Sequence, residues 1–449
     1  MSAIDLQRVI DGAKFNRFHG LIVFWCAFVI IFDGYDLVIY GTVLPQLMNE
    51  WGMTPAEVGS LGSVALIGMM IGSFIFGPLA DKVGRKNVIL FCLALFSFFT
   101  GIIGFSTNTM QFAVYRFISG LGLGGVMPNA IALVTEYAPK KLKSTLVSIM
   151  FSGYSAGGVM AAALGLLLIE PFGWRALFFI GALPLLVLPF MYKTLPESPN
   201  YLLINNKQEK IGTILTKIEP AFSGRNDFVF KQPGHIERGV PVVQLFKNGR
   251  AGSTLLLWVA FFMCLLMIYG LNTWLPKLFD GAGLPVSGLV FLLAMNLGAI
   301  FGAIFGGKWA DMWRPKPVLL IFFLTAAASL ALLGLVKNLF LLYVLVAIAG
   351  ATTIGTQIIS NAYTSQYYPA EMRSSGVGWA LGVGRLCAIA GPIIGGIALS
   401  FSLPFYQNFL VFAIPGLVGA AAMLFVQEKH AHFFVEAKFR VRVKENIEV

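Results

Sequence analysis

Twelve apolar runs, each long enough to carry a helix across a ~30 Å hydrocarbon core, dominate this chain. They fall at 20–46, 57–80, 88–106, 111–135, 145–169, 176–193, 253–275, 286–307, 317–335, 339–362, 377–400 and 405–427. In lipid an unpaired N–H or C=O finds no water, so a run of this length must be a helix, which satisfies its backbone internally. Composition agrees: 12% of the 449 residues are charged, against about a quarter in soluble domains. The fold class is an all-α polytopic membrane protein with twelve transmembrane helices.

The formal net charge of +11 invites a nucleic-acid partner, but its distribution does not. If both termini share one side, all but five of the 32 Lys and Arg lie on that side or in the loops facing it. The exceptions are Arg175, Lys277 and Lys337 in opposite loops, and Arg116 and Arg385 inside helices. This asymmetry is the positive-inside pattern. The charge encodes a multi-pass protein of the cell's inner membrane with cytoplasmic termini, and leaves no reason to expect nucleic acid. Cys26, Cys92, Cys264 and Cys387 all sit in apolar runs with no CxxC pair, so they read as small buried residues, without disulfide or metal. His19, His235, His430 and His432 fall in segments expected to be soluble, without metal-ligand spacing. The first apolar run is too long for a cleavable signal, and residues 1–19 read as an amphipathic lead-in. No nucleophile–base constellation marks an enzyme, no cofactor is implied, and a monomer is expected.

The longest polar stretch, 194–252, divides the spans six and six, giving bundles at 1–193 and 253–449 around a flexible linker. The halves match each other. GPLADKVGRK (77–86) aligns with GKWADMWRPK (307–316), and EYAPKKLKST (136–145) with QYYPAEMRSS (366–375), both at an offset of 230. YGTVLPQL (40–47) resembles YGLNTWLPKL (269–278). A duplicated six-helix unit lets two similar bundles rock about a site between them.

Within the first run, FDGYDLVIYG carries two acids where charge is expensive. Asp33 lies about fifteen residues along that helix, ~22 Å at 1.5 Å per residue, where a charge costs about 2.5–3.5 kcal/mol on insertion scales. Asp33, Asp36 and Tyr40 share one helical face. Two carboxyl groups in one low-dielectric site cannot both ionise cheaply, so the pair is a proton stop, unless one acid only forms a structural ion pair. Arg385 and Arg116 offer planar forks that match a carboxylate. Each is either a substrate cation or the permanent partner of a protein acid. Glu136, at the inner end of the fourth run, is a proton carrier or a gate partner. Tyr154, Tyr269, Asn272, Gln357 and Asn361 (with Ser360) are the remaining polar candidates for a substrate-lined cavity. Gly77, Asp81, Gly84, Arg85 and Lys86 form a loop that joins two inner helix ends and can latch the bundles, Asp81 pairing with Arg85 or a neighbouring helix. Asp311 with Arg314, and Arg373 beside Glu371, form the weaker counterpart. GLGLGG (120–125) reads as small-residue helix packing rather than a dinucleotide loop.

These motifs carry a resemblance. GPLADKVGRK resembles the loop signature of the major facilitator superfamily, and DGYDLVIYG is similar to the first-helix signature of its aromatic acid:proton symporters. The opening KFNRFHGLIVFWCAFVIIFDGYDLVIYG resembles the benzoate-type branch most closely. The resemblance extends through RFISGLGLGG, PESP (196–199) and PAEMR (369–373) and spans nearly the whole chain. It implies the two-bundle facilitator fold and symport of a small aromatic carboxylate with a proton as coupling ion. By the same resemblance, Asp33, Asp36, Asp81, Arg116, Glu136, Asp311, Arg373 and Arg385 occupy positions important for transport. The second-half loop departs from the pattern, since Trp313-Arg314-Pro315-Lys316 has no counterpart of Gly84, which weakens the argument for symmetric gating. The alternatives are a drug/proton antiporter of the same fold, a sugar symporter, and a non-transporting sensor of aromatic acids. Against the antiporter, FSGYSAGGVMAAALG lacks the Gly-Pro element of those exporters; against the sugar symporter, a neutral sugar gives the arginines no partner.

Overall fold

The computed structural model describes residues 6–219, 242–281, 284–369, 372–401 and 403–431, and every regular element among them is helical. A short α1 (Leu6–Gly12) precedes α2 (Arg17–Trp51), α3 (Pro55–Val83), α4 (Arg85–Ile103), α5 (Thr109–Tyr137) and α6 (Lys143–Phe172). The sixth apolar run is not one helix. It breaks into α7 (Arg175–Gly181) and α8 (Pro184–Thr194), because Pro184 lacks the N–H that would continue the ladder. Tighter i→i+3 bonds bridge the break, Ala182 to Phe179 at 3.1 Å and Leu183 to Ile180 at 3.0 Å. The second half comprises α11 (Ala251–Asp280), α12 (Gly288–Trp313), α13 (Pro315–Leu333), α14 (Leu339–Tyr367), α15 (Arg373–Ser400) and α16 (Phe405–Phe425). Counting α7 and α8 as one, twelve spans among the described residues are long and apolar enough to cross a bilayer. Large apolar side chains such as Leu186 (78% exposed) and Phe74 (68%) stand on their outer faces. In water such faces would be a liability, but against lipid tails they are the solvated surface.

The chain divides into two compact units, Met1–Gly52 with Val64–Ile236, and Met53–Ser63 with Glu237–Val449. The opening turns of α3 thus group with the second unit. In the first unit α2 packs along α6 and α4 along α5; in the second the main pairs are α12 with α14, α11 with α15, and α13 with both α14 and α16. Part of the linker is ordered. It forms α9 (Pro199–Ile204) and α10 (Gln208–Ile218), both within the first unit. On α10 the residues Ile211, Ile214, Leu215 and Ile218 form one buried stripe. The Asn16 side chain donates to the carbonyls of Lys217 (2.9 Å) and Ile218 (3.1 Å) while accepting from the N–H groups of Phe18 and His19. One asparagine therefore caps α2 and docks α10. Residues 220–241, which include His235, lie outside the described residues, as does His432.

The internal repeat is visible in local geometry. α4 and α13 both have 19 residues and α5 and α14 both have 29, each pair offset by 230. Asn108 and Asn338 cap α5 and α14 alike, each accepting from the N–H three residues on. The Tyr137 hydroxyl donates to the Glu197 carbonyl, and the Tyr367 hydroxyl donates to that of Gln427, again 230 further on. A Cβ on Gly68 or Gly120 would strike the backbone of Phe117 or Ala65; one on Gly298 or Gly350 would strike that of Ala347 or Met295. The GLGLGG segment is therefore a close-packing seam between α5 and α3. The departure in the second loop is chemical and leaves the backbone unchanged: Gly84 has φ 98, ψ 143 and Arg314 has φ 73, ψ 141. Arginine occupies a backbone region that favours glycine.

Candidate functional site

The acids of the first apolar run lie near the middle of α2. α2 needs no exposed polar face there because α6 and α5 flank it, and Gly34 lets α2 meet the Tyr154 backbone of α6 without an intervening side chain. Asp33 and Asp36 are buried, at 0% and 1% exposure. Arg116 Nη1, itself on a side chain 1% exposed, donates to Asp36 Oδ2 at 2.8 Å and to the Asp36 carbonyl at 3.1 Å. Thr100 Oγ1 donates to Asp36 Oδ1 at 2.5 Å, and the Ser119 hydroxyl lies 2.9 Å from Thr100. Since the single Thr100 proton is committed to the carboxylate, Ser119 must donate to Thr100. The result is a hydrogen-bonded chain from Ser119 through Thr100 to Asp36, closed by Arg116. Tyr40, one turn along from Asp36, puts its ring 5.6 Å from the guanidinium.

Asp33, Asp36 and Tyr40 thus share a face, and two of the three meet Arg116. In this structure Arg116 is paired with a protein acid, and its Nε is buried without a hydrogen-bond partner among the described residues. Thr100 and Ser119 escaped sequence reasoning, because a lone hydroxyl in an apolar run is indistinguishable from one bonded to its own helix. Only packing of α4 and α5 on α2 reveals them. Tyr154 is buried at 8% exposure on α6.

A second charged cluster closes the basic end of the first unit. Gly84 turns the chain from α3 into α4, and Arg85 Nη2 lies 2.9 Å from Glu136 on α5, against 3.9 Å from Asp81. Asp81 is 75% exposed. The stronger partner of Arg85 is therefore Glu136, whose other oxygen accepts from the Ser198 hydroxyl. Glu136 thus lies beside the loop expected to form the latch. The adjacent Glu197 carboxylate accepts from the backbone N–H groups of Lys86 (3.0 Å) and Ser198 (2.8 Å). PESP is therefore the anchor of this end of the unit. Gly77, by contrast, has open space around its Cα. His19, expected in a soluble segment, is instead buried in the first turn of α2, its ring 2.8 Å from the Asn16 amide oxygen.

In the second unit Arg385 is half-buried on α15 and Tyr269 half-buried on α11. Asn272 bonds back to the Ile268 carbonyl at 2.8 Å and receives Asn296 of α12 at 3.4 Å. On α14, Gln357, Ser360, Asn361 and Thr364 lie at i, i+3, i+4 and i+7, a single polar stripe. Ser360 Oγ, Asn361 Oδ1 and Thr364 Oγ1 are buried without hydrogen-bond partners among the described residues. Thr364 was not legible as a candidate beforehand. Arg314 is exposed. The side chains of Asp311 and Arg373, and all of Glu371, lie outside the described residues.

Comparison with known proteins agrees with this architecture. The sequence profile of the Major Facilitator Superfamily matches residues 26–304 and 285–444. The chain is 44% identical over 437 residues to the benzoate transport protein of Acinetobacter baylyi, covering 96% of this chain and 94% of that one. It is 35% identical over 427 residues to a 4-hydroxybenzoate transporter of Pseudomonas aeruginosa (94% and 95% covered), and 34% identical over 425 residues to a gallate transporter of Pseudomonas putida (94% of each). The xylose transporter of E. coli, solved in a partially occluded inward-open conformation, shares the fold at TM-score 0.71 and 17% identity, covering 91% of this chain and 100% of that one. Relatives and fold alike are those of transporters and not of enzymes. A repeated six-span unit, a glycine-turned loop between α3 and α4 and a full-length sequence match all place this multi-pass membrane protein in the Major Facilitator Superfamily.

Proposed function

We propose that this chain imports benzoate or a closely related aromatic carboxylate together with a proton, by alternating access. The observation that carries the reading is the buried Asp36–Arg116 pair with its hydroxyl chain. With Asp36 ionised the pair is neutral. Protonating Asp36 strands a buried guanidinium, and removing one partner of such a pair costs about 3–5 kcal/mol. A benzoate carboxylate meeting Arg116, whose Nε already lacks an acceptor, restores neutrality. Substrate without proton, or proton without substrate, leaves one uncompensated charge. Both penalised states are the uncoupled ones, so the same electrostatics that hold the pair together tie the two fluxes. Neutral co-transport also spares the anion the ~2.3 kcal/mol per 100 mV that a negative interior imposes. The names of the relatives favour an aromatic acid as cargo.

In this reading the basic loops face the cytoplasm in the cell's inner membrane, both termini with them, and one chain suffices because Asp36, Arg116, Thr100 and Ser119 come from a single unit. The Arg85–Glu136 cluster then guards the cytoplasmic end. In proteoliposomes, an imposed inward proton gradient should drive accumulation of labelled benzoate, and an uncoupler should abolish it. Asp36→Asn should lose gradient-driven accumulation. Full concentrative uptake by that variant would remove Asp36 from coupling, and absence of benzoate flux in the wild type would overturn the substrate assignment.

A further inference from the structure

Beside the PESP anchor the first unit has a cavity of about 210 Å³ lined by Lys86 and Asn87 of α4, Tyr192 of α8, Glu197, Tyr201 and Leu202 around α9, and Lys207 and Lys210 at the start of α10. Three lysines line it against one glutamate, whose carboxylate already accepts the N–H groups of Lys86 and Ser198. Two lysines are held by aromatic rings: Lys86 Nζ lies 4.7 Å from the Tyr192 centroid and Lys207 Nζ lies 5.3 Å from that of Tyr201. Lys86 and Asn87 also sit on the first turn of the 19-residue α4, whose cap residue Gly84 offers no side chain; Glu197 already meets the Lys86 N–H there, so the helix dipole adds only the remainder of its positive end to the lysines. Tyr192, 61% exposed in the last turn of its span, is the kind of residue that marks a membrane–water boundary.

From this geometry we infer that the cavity is a binding site for a phosphate-bearing anion at the basic end of the first unit. The charge excess and the neighbouring helix terminus suit a compact oxyanion with several acceptors. The phosphodiester of an acidic phospholipid headgroup and free inorganic phosphate share this chemistry. The boundary position of Tyr192 suits the headgroup. Through Lys86 an occupant would bear on the residue next to Arg85 and so on the Glu136 cluster.

Delipidated full-length protein is titrated with phosphatidylglycerol or phosphatidylcholine, with bound lipid counted by native mass spectrometry. A parallel arm measures protection of Lys86, which wild type and variant share, against amine acetylation by inorganic phosphate. Lys207→Gln with Lys210→Gln is the test variant, and Lys217→Gln, on α10 but outside the cavity, is the control. At about fivefold per lysine, the double variant should bind phosphatidylglycerol about twenty-fivefold more weakly while the control is unchanged, which identifies the headgroup as occupant. Protection of Lys86 by inorganic phosphate that the double variant loses, without preference for phosphatidylglycerol, identifies the soluble anion. The inference is overturned if neither probe separates the double variant from wild type, or if Lys217→Gln loses as much as the double variant.

Discussion

Neutralising Asp36 should produce a defect that neutralising Arg116 repairs. In Asp36→Asn the side chain keeps its shape, and its carbonyl can still accept from Thr100 at the 2.5 Å position. What disappears is the charge facing Arg116 Nη1 at 2.8 Å, at a site where both side chains are 1% exposed. Stranding a buried charge in this way costs about 3–5 kcal/mol; the retained Asp36 carbonyl contact at 3.1 Å places the expected loss at the lower end. Arg116→Gln should cost a similar amount by stranding the carboxylate. The double variant removes both charges, so the cycle should return a coupling energy of about 2 kcal/mol, within the range for residues in contact. Reversible unfolding in mixed micelles gives the stabilities. Calorimetry adds an independent reading: buffer-dependent heats should show wild type taking up a proton with benzoate, Asp36→Asn binding benzoate without proton uptake, and the double variant not binding. Additive single effects, with coupling under about 0.5 kcal/mol, would refute the proposition that these groups share one electrostatic site.

Three further outcomes follow from the geometry. Arg314→Gly should stabilise the second unit by about 1 kcal/mol, because φ 73 with ψ 141 is strained for arginine, whereas Gly84→Ala should destabilise the first by forcing a methyl against the Glu197 carboxylate at φ 98; thermal unfolding of each variant checks both signs. Gly124→Leu should cost more than the ~1–3 kcal/mol of ordinary overpacking, since its Cβ meets the Met69 backbone, while Gly77→Ala, with open space around it, should be neutral in expression and melting temperature. Arg85→Gln should weaken the basic end of the first unit by about 1.5–3 kcal/mol through the lost charged bond to Glu136, more than Asp81→Asn, whose partner lies 3.9 Å away in solvent; hydrogen exchange at the α3–α4 turn reads the difference.

Much of this protein is written locally. Apolar length marked the spans, basic asymmetry suggested their orientation, and the offset of 230 anticipated paired details as fine as the caps Asn108 and Asn338. The shared face of Asp33, Asp36 and Tyr40 likewise needs only the helical period. These are one-dimensional properties, set by the solvent around each segment and by residues a turn or two away, so the chain reveals them before it folds. Partnership is different. That Asp36 takes Arg116, 80 residues on, that Thr100 and Ser119 complete its shell, and that Arg85 prefers Glu136 to its own helix neighbour Asp81 all depend on how helices are rotated about their axes when they pack. Residue periodicity leaves that rotation open; close packing at Gly34, Gly68 and Gly120 and the cost of leaving a charge unpaired in a low-dielectric interior decide it.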